Sequence, residues 1–189
     1  MYKLVLIVVA IFCTKISVAQ DSAWIKAGIP LKDGKIVYEK VDTIPGLTEK
    51  ELFNSMLSVI VDSYKDYRYA VKFQDKETAK IIFEGHTKYI FKTIMGMTDD
   101  PSITFTIEFQ AKENRYRLKI YNITHDDIEI NGRRTSKYAT PSGFIITEYK
   151  GSKKQMQWRE NALLAFNNAM LSVFTFFKIK IQEKLKDKF

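Results

Sequence analysis

The chain has 189 residues, 46% of them hydrophobic, a formal net charge of +8 and one cysteine. That hydrophobic content excludes a disordered chain, and the length suits one domain with its own core, since domains of roughly 100 to 150 residues are commonest. The cysteine, Cys13, lies in a segment read below as a cleaved leader, so the mature chain has no thiol for disulfides, nucleophilic catalysis or thiolate metal sites.

Residues 1–19 have the layout of an export signal: Lys3, an apolar run over residues 4–13, then the small residues Ser17 and Ala19 ahead of Gln20. The run is too short for a mature transmembrane helix, which needs roughly 20 apolar residues. The bulky Phe12 before Cys13 argues against lipid attachment there. No later stretch is longer and uncharged, so no membrane span is expected. Charge is unevenly divided. Residues 20–149 hold nineteen basic and nineteen acidic side chains, whereas residues 150–189 hold nine basic against Glu160, Glu183 and Asp187. The basicity of the mature chain therefore belongs to its last element.

Residues 20–34 read as a loosely attached lead-in, interrupted by Gly28, Pro30 and Gly34, with Trp24 and Ile25 resting on the domain that spans 35–189. Residues 35–44 alternate Ile36 and Tyr38 with Val37, Glu39 and Val41, a strand that Pro45 and Gly46 end. Thr48 and Glu51 form a capping box, behind which Leu52, Met56, Val59, Ile60 and Tyr64 recur at helical spacing to about Asp66. Tyr69, Val71 and Phe73 then alternate with polar residues, 75–78 turns the chain, and 80–85 returns with Ile81 and Phe83 on one side, making a hairpin. The clearest alternation follows. Ile103, Phe105, Ile107 and Phe109 interleave with Thr104, Thr106, Glu108 and Gln110. After a turn at Glu113 and Asn114, Tyr116, Leu118 and Ile120 interleave with Arg115, Arg117 and Lys119. One buried and one wet face is the mark of an antiparallel sheet.

Residues 87–102, with Ile90, Phe91, Ile94, Met95 and Met97, have no clean period and read as a crossing segment packed on the sheet edge; the alternative is an apolar loop that meets a ligand. Residues 125–149 are irregular, with Asn131-Gly132 placed to turn a small hairpin and 144–149 strand-like. From about Lys153 to Lys186, Trp158, Ala162, Leu163, Phe166, Met170, Phe174, Phe177, Ile181 and Leu185 trace the apolar stripe of one long helix. The fold class is thus α+β, in β-α-β-β-β-β-α order.

The run Pro30-Leu31-Lys32-Asp33-Gly34-Lys35-Ile36-Val37-Tyr38-Glu39, the helix start over 48–52, Asp75 with 80–85, and Asn114-Arg115-Tyr116-Arg117 followed by Ile123-Thr124 together resemble a bacterial family of exported domains of unknown function, described as having a TATA-binding-protein-like (TBP-like) fold. The resemblance spans roughly residues 30–125. It implies a curved antiparallel sheet with two helices packed on one face. It does not imply DNA binding, because fold is no warrant for function and an exported chain does not meet the chromosome.

The motifs of common chemistries are missing. There is no Gly-x-Ser-x-Gly elbow, phosphate-cradling glycine loop or His-Glu-x-x-His. His125-Asp126-Asp127 reads as a solvated loop rather than a metal site, and Asp99-Asp100 before Pro101 as a turn rather than an acid-base pair. No catalytic residue, cofactor or metal is assigned. Two surfaces remain. Arg115, Arg117, Lys119 and Tyr121 lie on the wet sheet face, with Lys72 and Lys80 nearby, and Lys178, Lys180, Lys184, Lys186 and Lys188 crowd the last helical turns. The first suits an anionic polymer and the second an anionic surface, although lysines at a helix C-terminus also complement the macrodipole.

The functional expectation is a non-enzymatic interaction module, periplasmic or extracellular, whose partner is a protein or envelope polymer and not nucleic acid. Contact with a membrane periphery or another protomer would run through the terminal helix. One alternative is a hydrolytic or ligand-processing enzyme using the 87–102 and 125–130 loops; another is attachment to an anionic surface through the lysine-rich end. N-terminal sequencing of the protein from its native cell is expected to begin at Gln20. Met1 still attached to cytosolic material would overturn the leader.

Overall fold

The computed structural model describes residues 23–92, 95–125, 128–130, 133–135 and 152–186, and the segment 1–19 with the layout of an export signal, residues 144–149 and Lys188 lie outside them. A helical turn, α1 (Ala23–Lys26), leads into a tight hairpin of β1 (Leu31–Lys32) and β2 (Lys35–Ile36), then strand β3 (Tyr38–Thr43). The lead-in is not loose over its second half. Ala27 and Ile29 are buried in the core, and α1 packs on the terminal helix. Ile25 is exposed.

Helix α2 (Glu49–Ser63) begins at the expected capping box. The Thr48 hydroxyl accepts from the Glu51 amide at 3.2 Å, and the Glu51 carboxylate accepts from the Thr48 amide at 3.0 Å. Leu52, Phe53, Met56, Val59 and Ile60 are its buried stripe. The helix ends before Asp66, and a second short turn, α3 (Tyr67–Ala70), occupies what alternation suggested was the start of a strand. Strand β4 (Val71–Asp75) therefore starts late and is bulged, with Val71 opposite Phe83 and Phe73 opposite Ile82. The bulge breaks the two-residue period, so Val71 and Phe73 do not share a face as their spacing implied. Tyr69 stays on the surface.

Strand β5 (Lys80–Lys88) runs on to a small hairpin of β6 (Phe91–Lys92) and β7 (Thr98–Asp99). Then come the long strands β8 (Ser102–Lys112) and β9 (Arg115–His125), and β10 (Ile128–Ile130) paired with β11 (Arg133–Thr135) on either side of Asn131-Gly132. Helix α4 (Lys153–Lys186) closes the described chain. The main sheet is antiparallel with five strands in the order β3-β9-β8-β5-β4, which is the β-α-β-β-β-β-α arrangement read from the sequence. Both long helices cover one face, where Ile81, Phe83, Ile103, Phe105, Ile107, Phe109, Tyr116, Leu118 and Ile120 are buried with Phe166, Met170, Phe174, Phe177 and Ile181 of α4.

At about 1.5 Å per residue, α4 is near 51 Å long, against about 36 Å for an eleven-residue strand. The excess is met by the 87–102 segment. Tyr89 is buried and its ring stands edge-on to Phe166 at 5.7 Å, while Phe91 approaches Trp158 at 6.0 Å. The root of this segment packs as a crossing element should; Ile90, Met95 and Met97 are exposed. Two polar ties also fasten α4. The buried Tyr38 hydroxyl donates to Asn167 Oδ1 at 2.9 Å. Lys178 Nζ reaches the buried Asp42 carboxylate at 3.1 Å, and the Tyr116 hydroxyl lies 3.4 Å from the same group. Asn114 supplies a third clasp on the hairpin turn, its left-handed φ of 62° letting Oδ1 accept from the Gly46 amide at 2.7 Å.

Gly85 is required for close packing rather than for its backbone angles. A Cβ there would stand 2.6 Å from Phe105 Cε2 and 3.0 Å from Ile107 Cδ1. Gly85→Ala is expected to cost about 1–3 kcal/mol in urea unfolding; wild-type stability would mean that the Phe105 ring moves aside freely. Burial raises the phenols of Tyr38 and Tyr116, with the Asp42 charge adding to the second, and pushes Tyr64 up to about 12. Raised phenols bind their protons more tightly in the folded state. Their contribution to stability is complete below the ordinary value of about 10 and is lost as pH rises past it. Phenolate absorbance from these residues should therefore appear together with unfolding, above about pH 10. Ionisation of Tyr38, Tyr64 and Tyr116 near that value, with the fold intact, would contradict this burial.

Candidate functional site

The sheet's outer face is opposite both long helices. Its central side chains are locked together. Glu108 takes Lys80 at 3.0 Å and Arg117 at 2.8 Å, and Arg117 also donates to Gln110 at 3.0 Å and lies 3.7 Å from Glu39. Register explains the lattice: Gln110 and Val41 flank Arg117, and Glu108 sits one row away beside Lys119. Lys119 itself lies over the Tyr121 ring, 5.2 Å from its centroid. Partial burial raises the Tyr121 phenol, Glu108 adding to the effect and Lys80 opposing it. Further out, Lys72 meets Glu84 at 3.7 Å. Much of the basic character that β9 shows in the sequence is thus neutralised by carboxylates on neighbouring strands.

The end of the β8–β9 hairpin differs. The two-residue turn sets Lys112 directly opposite Arg115, whose other neighbour is Thr43. Neither cation has an acidic partner among the described residues. With Val41, Gln110, Tyr116 and Arg117 they line a shallow depression of about 180 Å³. Sequence reasoning found Arg115 and Arg117 but not Lys112, Gln110 or Val41. The signal was present for Lys112, because a two-residue loop after it fixes the pairing.

The terminal lysines are on the helical layer, so the sheet separates them from this face. Lys178 is tied to Asp42, Lys180 pairs with Glu183 at 2.7 Å, and Lys184 pairs with Asp62 of α2. Lys186 is exposed. His86 is exposed with its ring edge-on to Tyr64 at 6.1 Å. Asp100 is held below the usual carboxylate range by Lys88, whose ammonium donates at 2.8 Å, so it carries no proton at neutral pH. Among the described residues no group of three or more His, Cys, Asp or Glu is placed to hold a metal ion. The His125 side chain, Asp126 and Asp127 lie outside the described set.

One described helix, α4, is long and apolar enough to cross a membrane by length and composition, and 39% of the relevant window is buried. A core helix meets the same criterion, and the buried stripe of α4 forms part of the sheet's core. Outside that stripe it carries Leu164, Leu171, Phe176 and Ile179, each 42–48% exposed.

No curated protein matches the chain. Among solved structures, it is similar to a TBP-like protein from Parabacteroides distasonis, with a TM-score of 0.63 at 15% identity over 82% of this chain and 97% of that one. It is also similar to a DUF4468 family protein from Bacteroides ovatus, with a TM-score of 0.53 at 18% identity over 81% of this chain and 90% of that one. Residues 38–126 match the model of the family described as a domain of unknown function (DUF4468) with TBP-like fold. That span runs from the first strand of the main sheet to the end of β9, the region where the sequence already resembled such a family. The chain thus has a TBP-like fold, and over residues 38–126 it is similar to the DUF4468 domain.

Proposed function

We propose that the chain is exported, catalyses no reaction of its own, and acts as an interaction module that pairs with a second copy of itself through the outer side of α4. The carrying observation is a set of exposed apolar residues on that helix outside its buried stripe. Ile179 is half-exposed opposite the stripe, with Leu164 and Leu171 toward one flank and Phe176 toward the other. A core helix needs one apolar side, so apolar residues outside it call for another surface.

The spacing of that set favours a copy of the same chain. Leu164 and Ile179 are equally far from the midpoint between Leu171 and Ser172, and so are the exposed Asn168 and Thr175. An antiparallel pairing about a two-fold axis would set Leu164 against Ile179 of the partner subunit and Asn168 against Thr175 of the partner subunit, a self-complementary contact. An anionic lipid surface is less well supported as the occupant. Three of the charges that would hold it, Lys178, Lys180 and Lys184, are each paired with a carboxylate of this chain.

Sedimentation velocity of the wild type is expected to show a concentration-dependent dimer, abolished by Leu171→Glu with Ile179→Glu while the circular dichroism melt is retained. A monomer at every concentration would overturn the pairing. Flotation of monomeric wild type with anionic vesicles, lost in the double variant, would assign these residues to lipid instead.

A further inference from the structure

We infer that the depression at the turn end of the β8–β9 hairpin binds an oxyanion, the carboxylate or phosphate group of a small acid. This goes beyond the pairing proposed for α4 and uses the opposite face of the sheet.

Lys112 and Arg115 are directly opposite each other, joined by a two-residue turn that Asn114 clamps to the β3–α2 connection. Like charges in that relation repel and weaken a strand pair. Elsewhere on this face the lattice avoids the problem: Lys80 and Arg117 share Glu108, and Lys72 has Glu84. At the hairpin end Arg115 is flanked instead by the neutral Thr43, and no described acid, Glu113 of the turn included, forms an ion pair with either cation. A local breach of pairing rules without compensation is where a binding site is expected.

Three features make the place suitable for an oxyanion. Arg117, on the wall of the depression, is held by Glu108 and Gln110, so its guanidinium is oriented before any ligand arrives. Arg115 adds a second planar fork and Lys112 a point charge, the donor set that carboxylates and phosphates accept from. With Arg117 set against Glu108 and Glu113 in the turn counted, the local excess is one positive charge, carried by Lys112 and Arg115 on the face of the depression. The volume of about 180 Å³ exceeds the 150 Å³ or so that holds a benzene ring, which leaves room for an acid group and a short carbon skeleton. Val41, 55% exposed, offers that skeleton an apolar wall.

The test is an NMR titration of isotopically labelled protein, followed at the backbone amides of residues 112–117 and the arginine side-chain N–H groups. Inorganic phosphate and acetate are added separately at constant ionic strength set with chloride. Saturable shifts confined to the hairpin end are expected, and the anion that saturates at the lower concentration identifies the acid group. Lys112→Glu gives Arg115 an opposite charge across the strand pair. This variant should melt no lower than wild type and bind at least tenfold more weakly, and Arg115→Gln should weaken binding without the added acid. Shifts that rise linearly without saturation for both anions, or equal titration by wild type and Lys112→Glu, would overturn the site.

Discussion

Covering one face of a five-stranded antiparallel sheet is the requirement on which this molecule rests. The two long central strands expose a continuous apolar row from Ile103 to Ala111 and from Tyr116 to Ile120, and only α2 and α4 together are long enough to bury it. Because side chains in a strand alternate strictly, a one-residue slip in either strand would turn that row to water and bring Glu108 and Arg117 into the core. The turn at Glu113-Asn114 prevents the slip. Asn114 holds the left-handed conformation and binds the β3–α2 connection through its side chain, its amide and its carbonyl. Gly85 contributes from the other side, leaving the space that the Phe105 ring fills.

The same requirement explains a charge in the core. Asp42 occupies an inward-facing position of an edge strand, where an apolar residue would have packed simply. It is buried, yet it has Lys178 from α4 and the Tyr116 hydroxyl beside it, with Lys40 3.9 Å away. Removing one member of such a pair is costly because the remaining charge keeps its desolvation penalty. The arrangement therefore specifies where α4 lies along β3, a job that interchangeable apolar contacts do less sharply. Tyr38 and Asn167 give the same instruction about three helical turns earlier.

These ties change the meaning of the surface charge. The last forty residues carry the excess of basic groups, but three of the terminal lysines face acids brought to them from β3, α2 and the next helical turn. The central outer face is likewise balanced across strands. What remains unbalanced is smaller and elsewhere: a pair of cations at a hairpin end and a set of exposed apolar residues on the terminal helix outside its buried stripe. Each is a feature that folding alone does not call for, and the two lie on opposite sides of the sheet.

The order of elements, the capping box, the alternation in β8 and β9 and the buried stripe of α4 were legible in the sequence, because each is a short-range pattern imposed by the geometry of one helix or one strand pair. So was the likeness to a family of TBP-like fold, carried by turn and strand residues within 38–126. The late start and bulge of β4 were not legible, since Tyr69, Val71 and Phe73 alternate as a regular strand would and only the partner strand exposes the shift. Nor was the burial of Ala27 and Ile29, beside a helical turn that packs on a helix more than 120 residues away. Arg115 could be named as a candidate from its strand position. That it has no ion pair among the described residues while Arg117 and Lys178 do was decided by tertiary structure alone, because a side chain's charge is written in the sequence but the neighbour that cancels it is set by packing across strands and between layers.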